Sequence, residues 1–173
     1  AVAGLIGGYL ATPLTDGTTW TYKGIAYERL LKVGSIRDNP KSSDPGYPYS
    51  GFGINTEVLG ETGGPIDWLL ARGVRVINNS WGSTTQITDF NLTDKNPVAL
   101  GYLEQKTLDG WRKAVSSNVL IVFSAGNDGG SPRNFSQPSL EGGLPYLYPE
   151  LRKSWINAVA VSQNGVKSTY SQP

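Results

Sequence analysis

Apolar residues along the chain fall into short runs divided by stretches of glycine, proline and small polar residues. The strongest run, Val119 to Phe123 (V-L-I-V-F), is too short for a membrane span and suits a strand buried on both faces. Val74 to Asn79 predicts a second strand, closed by Asn79-Ser80-Trp81-Gly82. Trp155 to Ser162 predicts a third, with Gly165 to Ser171 as a short partner. Glu28 to Ile36 is a further strand candidate, with Leu31 and Val33 on one face and Leu30 on the other.

Two segments have helical spacing instead. Over Pro65 to Gly73, Ile66, Leu69 and Leu70 form a stripe at i, i+3, i+4. Pro65 suits the first helical position, Asp67 the positive end of the dipole, and Gly73 the stop. From Thr107 a second helix carries Leu108, Trp111, Ala114 and Val115 on one face, after a cap and first turn at Asn96-Pro97. Thr12 to Tyr22 and Ser83 to Asn96 read as polar connections, and Arg37 to Ser50 as irregular surface. Ser131 to Glu150, with Pro132, Pro138, Pro145 and Pro149, reads as a loop. Ala1 to Leu10 is apolar and small, and reads as the remainder of a buried, close-packed helix. Two strand–helix–strand units in succession predict a mostly parallel sheet with helices on its faces, an α/β fold.

Composition narrows the chemistry. The 173 residues are a prior for one domain, and 15 basic against 14 acidic side chains give no pull toward nucleic acid or an anionic membrane. No apolar run approaches the roughly 18 residues of a membrane helix, and no signal peptide is visible. The absence of Cys removes disulfides, thiol nucleophiles and zinc–thiolate sites. With no Met, the sequence as given is not expected to begin at an initiator codon. With no His, Ser-His-Asp chemistry cannot be completed within these residues.

The candidate chemistry lies where the central run ends. Ser124, Ala125 and Gly126 are small enough to admit another backbone, and Asn127 comes next at the carboxyl edge, where α/β sheets bind ligands. An Asn there can donate to a developing negative charge. The alternative is a plain glycine-rich turn in which Asn127 accepts positive φ. Ser80 and Ser124 lie just beyond strong strands but outside a Gly-x-Ser-x-Gly elbow. Asp67, Asp94, Asp109 and Asp128 form no acid/base pair, and one carboxylate beside Asn127 is not a cation site. The Asn-x-Ser/Thr triplets at Asn78, Asn91 and Asn134 carry little weight without secretory context. Tyr47, Tyr49 and Phe52 could form a patch, but such rings more often pin a loop to the body.

Val76 to Gly82 (V-I-N-N-S-W-G), a helix, and then Val122 to Gly129 (V-F-S-A-G-N-D-G) together resemble the subtilisin family of serine proteases. The resemblance implies a three-layer α/β fold. It implies that Ser80, Trp81 and Gly82 form one wall of the substrate pocket and pair with the substrate backbone. Ser124, Ala125 and Gly126 would form the opposite wall, and Asn127 would donate to the oxyanion. Ala1-Val2-Ala3-Gly4 is similar to the segment just after the family's catalytic His motif, and Gly24-Ile25-Ala26 to a segment further downstream of it. Trp155 to Ser171 resembles the strand pair ahead of the nucleophile, and Leu144 to Trp155 the protease domains of bacterial autotransporters. The catalytic Asp, His and Ser motifs themselves are absent from this sequence.

The resemblance thus implies that residues 1–173 are an internal part of a single peptidase domain from a secreted or bacterial surface protein acting on a polypeptide. No nucleic-acid partner, cofactor or metal ligand is expected, and a structural calcium ion cannot be inferred. The isolated chain is expected to be inert, and to self-associate through apolar surface at Ala1 to Leu10. Two rivals stand beside this reading. One is a pseudoprotease that binds peptides without cutting. The other is a doubly wound nucleotide-binding domain, for which Gly4, Gly7 and Gly8 lack a preceding strand.

Overall fold

The backbone reversal that ends a helix sets up the sheet of this protein twice. The computed structural model describes residues 9–13, 15–23, 62, 65–83, 85–87, 96–130 and 135–173. These fall in two units, Ala1–Gly34 and Ser35–Pro173. In the second, helix α1 (Pro65–Leu70) runs into strand β3 (Val76–Asn79), and helix α2 (Gln105–Ser116) into strand β4 (Leu120–Ser124). Gly73 at φ +68° and Asn118 at φ +56° take the left-handed conformation after these helices. After α1, Gly73 N–H donates to Leu70 O and Val74 N–H to Leu69 O. After α2, Asn118 N–H donates to Val115 O and Val119 N–H to Ala114 O. Each pair closes the free carbonyls of a helix end and turns the chain at a Val into a strand. The helices predicted from Pro65 and Thr107 and the strands predicted from Val74 and Val119 therefore stand, with α1 ending three residues earlier and β3 starting two residues later than expected.

β3 pairs parallel with β4, from Val76 opposite Leu120 to Asn79 opposite Phe123. β5 (Trp155–Ala158) pairs parallel with the other side of β4, from Ile121 opposite Trp155 to Ser124 opposite Ala158. The result is an α/β unit whose sheet has the order β3-β4-β5. β5 is shorter than expected, and its predicted partner appears as a narrow antiparallel turn. There Ser162 N–H donates to Val166 O and Ser168 N–H to Ala160 O.

One face of the sheet carries the core. Ile77, Ile121 and Phe123 are buried there with Leu108, Trp111, Ala114 and Val115 of α2, the four residues predicted to face inward. Phe123 stacks on Trp155 at 5.2 Å. Trp111 meets both rings edge-on, at 5.6 Å from Phe123 and 5.7 Å from Trp155. Such pairs contribute about 0.5–1.5 kcal/mol each beyond their area. On the opposite face Val76 and Ile156 are 55% and 47% exposed. The central strand is thus buried fully on one face and only partly on the other among the described residues.

Three expectations fail. The polar reading of Thr12 to Tyr22 gives way, in the first unit, to an antiparallel hairpin of β1 (Tyr9–Pro13) and β2 (Thr19–Lys23). Asp16 Oδ1 accepts from Thr18 N–H at 2.9 Å and from its hydroxyl at 2.6 Å, and Gly17 takes φ +81°, so the turn is locally closed. The helix expected over Ala1 to Leu10 is corrected at its last two residues, since Tyr9 and Leu10 are extended in β1. Residues 1–8 lie outside the described residues, as do Glu28–Ile36, Arg37–Ser50 and Gly24-Ile25-Ala26.

The loop predicted over Ser131 to Glu150 contains helix α3 (Leu140–Leu147), followed by a 3₁₀ turn over Pro149–Ser154. Gly142, Gly143 and Pro145 all argue against a helix by propensity. The glycines are there because neighbours come too close for a side chain. A Cβ on Gly142 would lie 2.5 Å from Asn157 Oδ1, and one on Gly143 2.9 Å from Ile87 Cβ. Replacement Gly143→Ala is therefore expected to destabilise the protein by about 1–3 kcal/mol through overpacking, despite a gain of roughly 1 kcal/mol in helix propensity. Urea unfolding of the variant checks this, and a raised midpoint would refute the packing account.

Candidate active site

Because β3 and β4 run parallel and in register, the segments that leave their carboxyl ends leave side by side. Ser80, Trp81 and Gly82 continue from β3, and Ala125, Gly126 and Asn127 continue from Ser124 at the end of β4. The seven residues singled out from the sequence are thus brought to one edge of the sheet. Ser80, Gly82 and Asn127 are exposed, Trp81, Ser124 and Gly126 half-buried, and Ala125 buried.

Asn79 organises the β3 side. Its buried amide donates at 3.4 Å to both Ile77 O and Val122 O, bridging the two strands. Its Oδ1 accepts from Trp81 Nε1 at 3.2 Å. That bond turns the indole onto the core, where it meets Phe123 edge-on at 5.0 Å. Asn78 donates to Ser80 Oγ at 3.0 Å, so this hydroxyl also has a local partner.

The start of α3 touches both segments. Ser139 caps the helix by accepting from Gly142 N–H, and its own N–H donates to Ala125 O at 3.2 Å. Its Oγ lies 2.8 Å from where a Gly82 Cβ would stand, so Gly82 has no room for a side chain there. Two residues on, the buried carboxylate of Glu141 accepts from Ser83 N–H at 2.9 Å and Ser83 Oγ at 3.1 Å. A carboxylate in the first turn of a helix is favoured by the dipole, and here it also anchors the chain leaving β3.

The β4 side is held by the C-terminal segment. Ala125 N–H donates to Ala158 O at 2.9 Å, extending the ladder with β5 by one bond. Gly126 takes φ +115°, a conformation L-residues rarely adopt. Its carbonyl accepts from Gln172 N–H at 3.1 Å, and Gly129 N–H donates to Tyr170 O at 2.9 Å. Asn127 sits between these attachments, and its side chain makes no hydrogen bond among the described residues. Asp128 O accepts from Phe135 N–H at 2.8 Å. No group of three or more Asp, Glu, His or Cys side chains able to hold a metal occurs among the described residues.

Sequence reasoning passed over Ser139, Glu141 and Gln172. Only Ser139 has a local signal, as a capping residue ahead of Leu140-Glu141. Asp94, Asn91, Asn134, Tyr47, Tyr49 and Phe52 fall outside the described residues.

Replacement Gly126→Ala is expected to cost about 1–3 kcal/mol. It would force a Cβ into positive φ and into the Gln172 amide. Thermal unfolding measures the loss, and a variant as stable as the parent would contradict this geometry.

Comparison with known proteins places the chain in a family. Serotype-specific antigen 1 of Mannheimia haemolytica is 35% identical over 107 residues, 61% of this chain and 11% of that protein. The Neisserial autotransporter lipoprotein NalP of Neisseria meningitidis serogroup B is 25% identical over 125 residues, 59% of this chain and 11% of that protein. The chain thus spans about a tenth of the length of these curated relatives. Among solved structures, the prenylagaramide maturation protease PagA is similar, with TM-score 0.48 and 16% identity over 73% of this chain and 35% of that one. The family model described as the Subtilase family matches residues 47–173, and so takes in the sheet, both pocket-wall candidates and Asn127; the chain belongs to the subtilase family.

Proposed function

We propose that this chain supplies the peptide-gripping edge and one oxyanion donor of a secreted or surface-displayed serine endopeptidase. The observation that carries the reading is the pairing of two small-residue segments at adjacent parallel strand ends, with an exposed Asn directly after one of them, inside a subtilase match. The name of one relative, an autotransporter lipoprotein, supports the surface location.

In this reading a polypeptide enters as an added strand. Its backbone pairs with Ser80 to Gly82, and its side chain lies between that segment and Ser124 to Gly126. Glycine at 82 and 126 lets Ser139 and Gln172 pack directly behind the two segments, which holds both in place for the substrate. Asn127 donates its side-chain N–H to the oxygen that gains charge when the scissile carbonyl is attacked, and it acts on the transition state rather than on bound substrate. The nucleophile and general base come from residues outside this sequence, which has no His. No cofactor, metal or nucleic acid takes part.

In the full-length protein, Asn127→Ala is expected to lower kcat by about 10²–10³ while leaving KM nearly unchanged, the loss seen when subtilisin loses its side-chain oxyanion donor. Steady-state kinetics on a peptide substrate checks this, and an unaltered kcat would remove Asn127 from the mechanism. The isolated 173-residue chain is expected to remain unlabelled by a serine-directed phosphonate, because no imidazole is present to activate a serine. Stoichiometric labelling read by mass spectrometry would show that an activated serine exists within it.

A further inference from the structure

We propose that Gln172 is a positioning residue for Asn127, fixing the backbone on both sides of it; this rests on the reading of Asn127 as the oxyanion donor. Asn127 is exposed, and no hydrogen bond to another described residue holds its side chain. The place of its amide is therefore set by the backbone from which it projects. That backbone is gripped on both flanks by one residue. Gln172 N–H donates to Gly126 O at 3.1 Å, and Gln172 Oε1 accepts from Asp128 N–H at 3.4 Å.

The Gln172 amide is itself oriented. Its Nε2 donates to Gln137 O at 2.6 Å, which leaves the oxygen facing Asp128 N–H. The residue is only 2% exposed, so water does not compete for these bonds. The absence of a side chain at Gly126 is what lets the amide lie against the loop, since a Cβ there would overlap Gln172 Oε1 and Cδ.

The segment that bears Gln172 is anchored independently of the loop. Ser171 Oγ accepts from Ala160 N–H at 3.0 Å, just past β5, and Ser171 O accepts from Lys167 Nζ at 2.5 Å. Gln172 thus ties the Asn127 loop to the far strand of the sheet. An oxyanion donor works without reorganisation only when its backbone is already in place, and small misplacement costs rate rather than binding.

The test is a kinetic cycle in the full-length protein, using Gln172→Met, which keeps the length of the side chain and loses the amide. We expect kcat to fall by about tenfold to a hundredfold, with KM within about twofold. In an Asn127→Ala background the same replacement is expected to change kcat by less than about twofold, because no donor remains to misplace. Should Gln172→Met give too little folded protein, Gln172→Glu keeps an oxygen facing Asp128 but removes the donor to Gln137, and the same comparison applies. Equal losses in both backgrounds would mean Gln172 merely supports the fold and would overturn the proposal. So would a parental kcat in Gln172→Met while Asn127→Ala remains impaired, an outcome that leaves the oxyanion reading intact. If Asn127→Ala itself costs nothing, both readings fall together.

Discussion

The in-register parallel pairing of β3 and β4 is the constraint on which the candidate site depends. Two separate helices end in the same hydrogen-bond pattern, one through Gly73 and the other through Asn118, and each hands the chain to a strand through a Val. Because β3 begins at Val76 opposite Leu120, both strands reach the sheet edge at one level, Asn79 beside Phe123. A slip of one residue would turn Ile121 and Phe123 away from α2 and expose them, so burial holds the register. The rings of Trp111, Phe123 and Trp155 make that penalty large, and Trp81 extends the same cluster to the chain leaving β3. Side-by-side departure of Ser80 to Gly82 and Ala125 to Asn127 is thus a consequence of packing some distance below them.

The elements that sequence reading recovered are those whose signal is local and periodic. Ile66, Leu69 and Leu70, and Leu108, Trp111, Ala114 and Val115, repeat at helical spacing, and all pack into or against one core. The elements it missed are those in which tertiary contact overrides local preference. α3 has glycines at 142 and 143 because Asn157 and Ile87 press against them, and nothing within the helix sequence announces those neighbours. The hairpin was hidden differently. Thr19, Trp20, Thr21 and Tyr22 have high strand propensity, but hydroxyls made the stretch look like a polar loop, although Asp16-Gly17 is a recognisable turn.

At the site the same division holds. Ser80 to Gly82 and Ser124 to Asn127 were legible because each is a contiguous string at the end of a strand. Their supports were not, because they come from far along the chain. Glu141 reaches back across 58 positions to Ser83, and Gln172 across 44 to Asp128. A buried Glu and a buried Gln are costly unless their hydrogen bonds are met, so their burial is itself a sign of a structural task. That sign exists only once burial is known.

The glycines around Asn127 take on a different meaning once their neighbours are known. Read alone, Gly126, Gly129 and Gly130 suggest a pliant turn, the simpler of the two readings of this stretch. In the structure Gly126 lies against the Gln172 amide, Gly129 against the backbone carbonyl of Ser171, and Gly82 against Ser139. Each is a point where a second piece of chain comes nearer than a side chain would permit, and two are also bonded through their own backbone groups, Gly126 O to Gln172 and Gly129 N–H to Tyr170. Such glycines tighten the loop rather than loosen it. The entropy that glycine gives up on folding is offset by contacts available to no other residue at those positions. A donor meant for a transient charge gains from that arrangement, because the loop is already ordered when the charge develops.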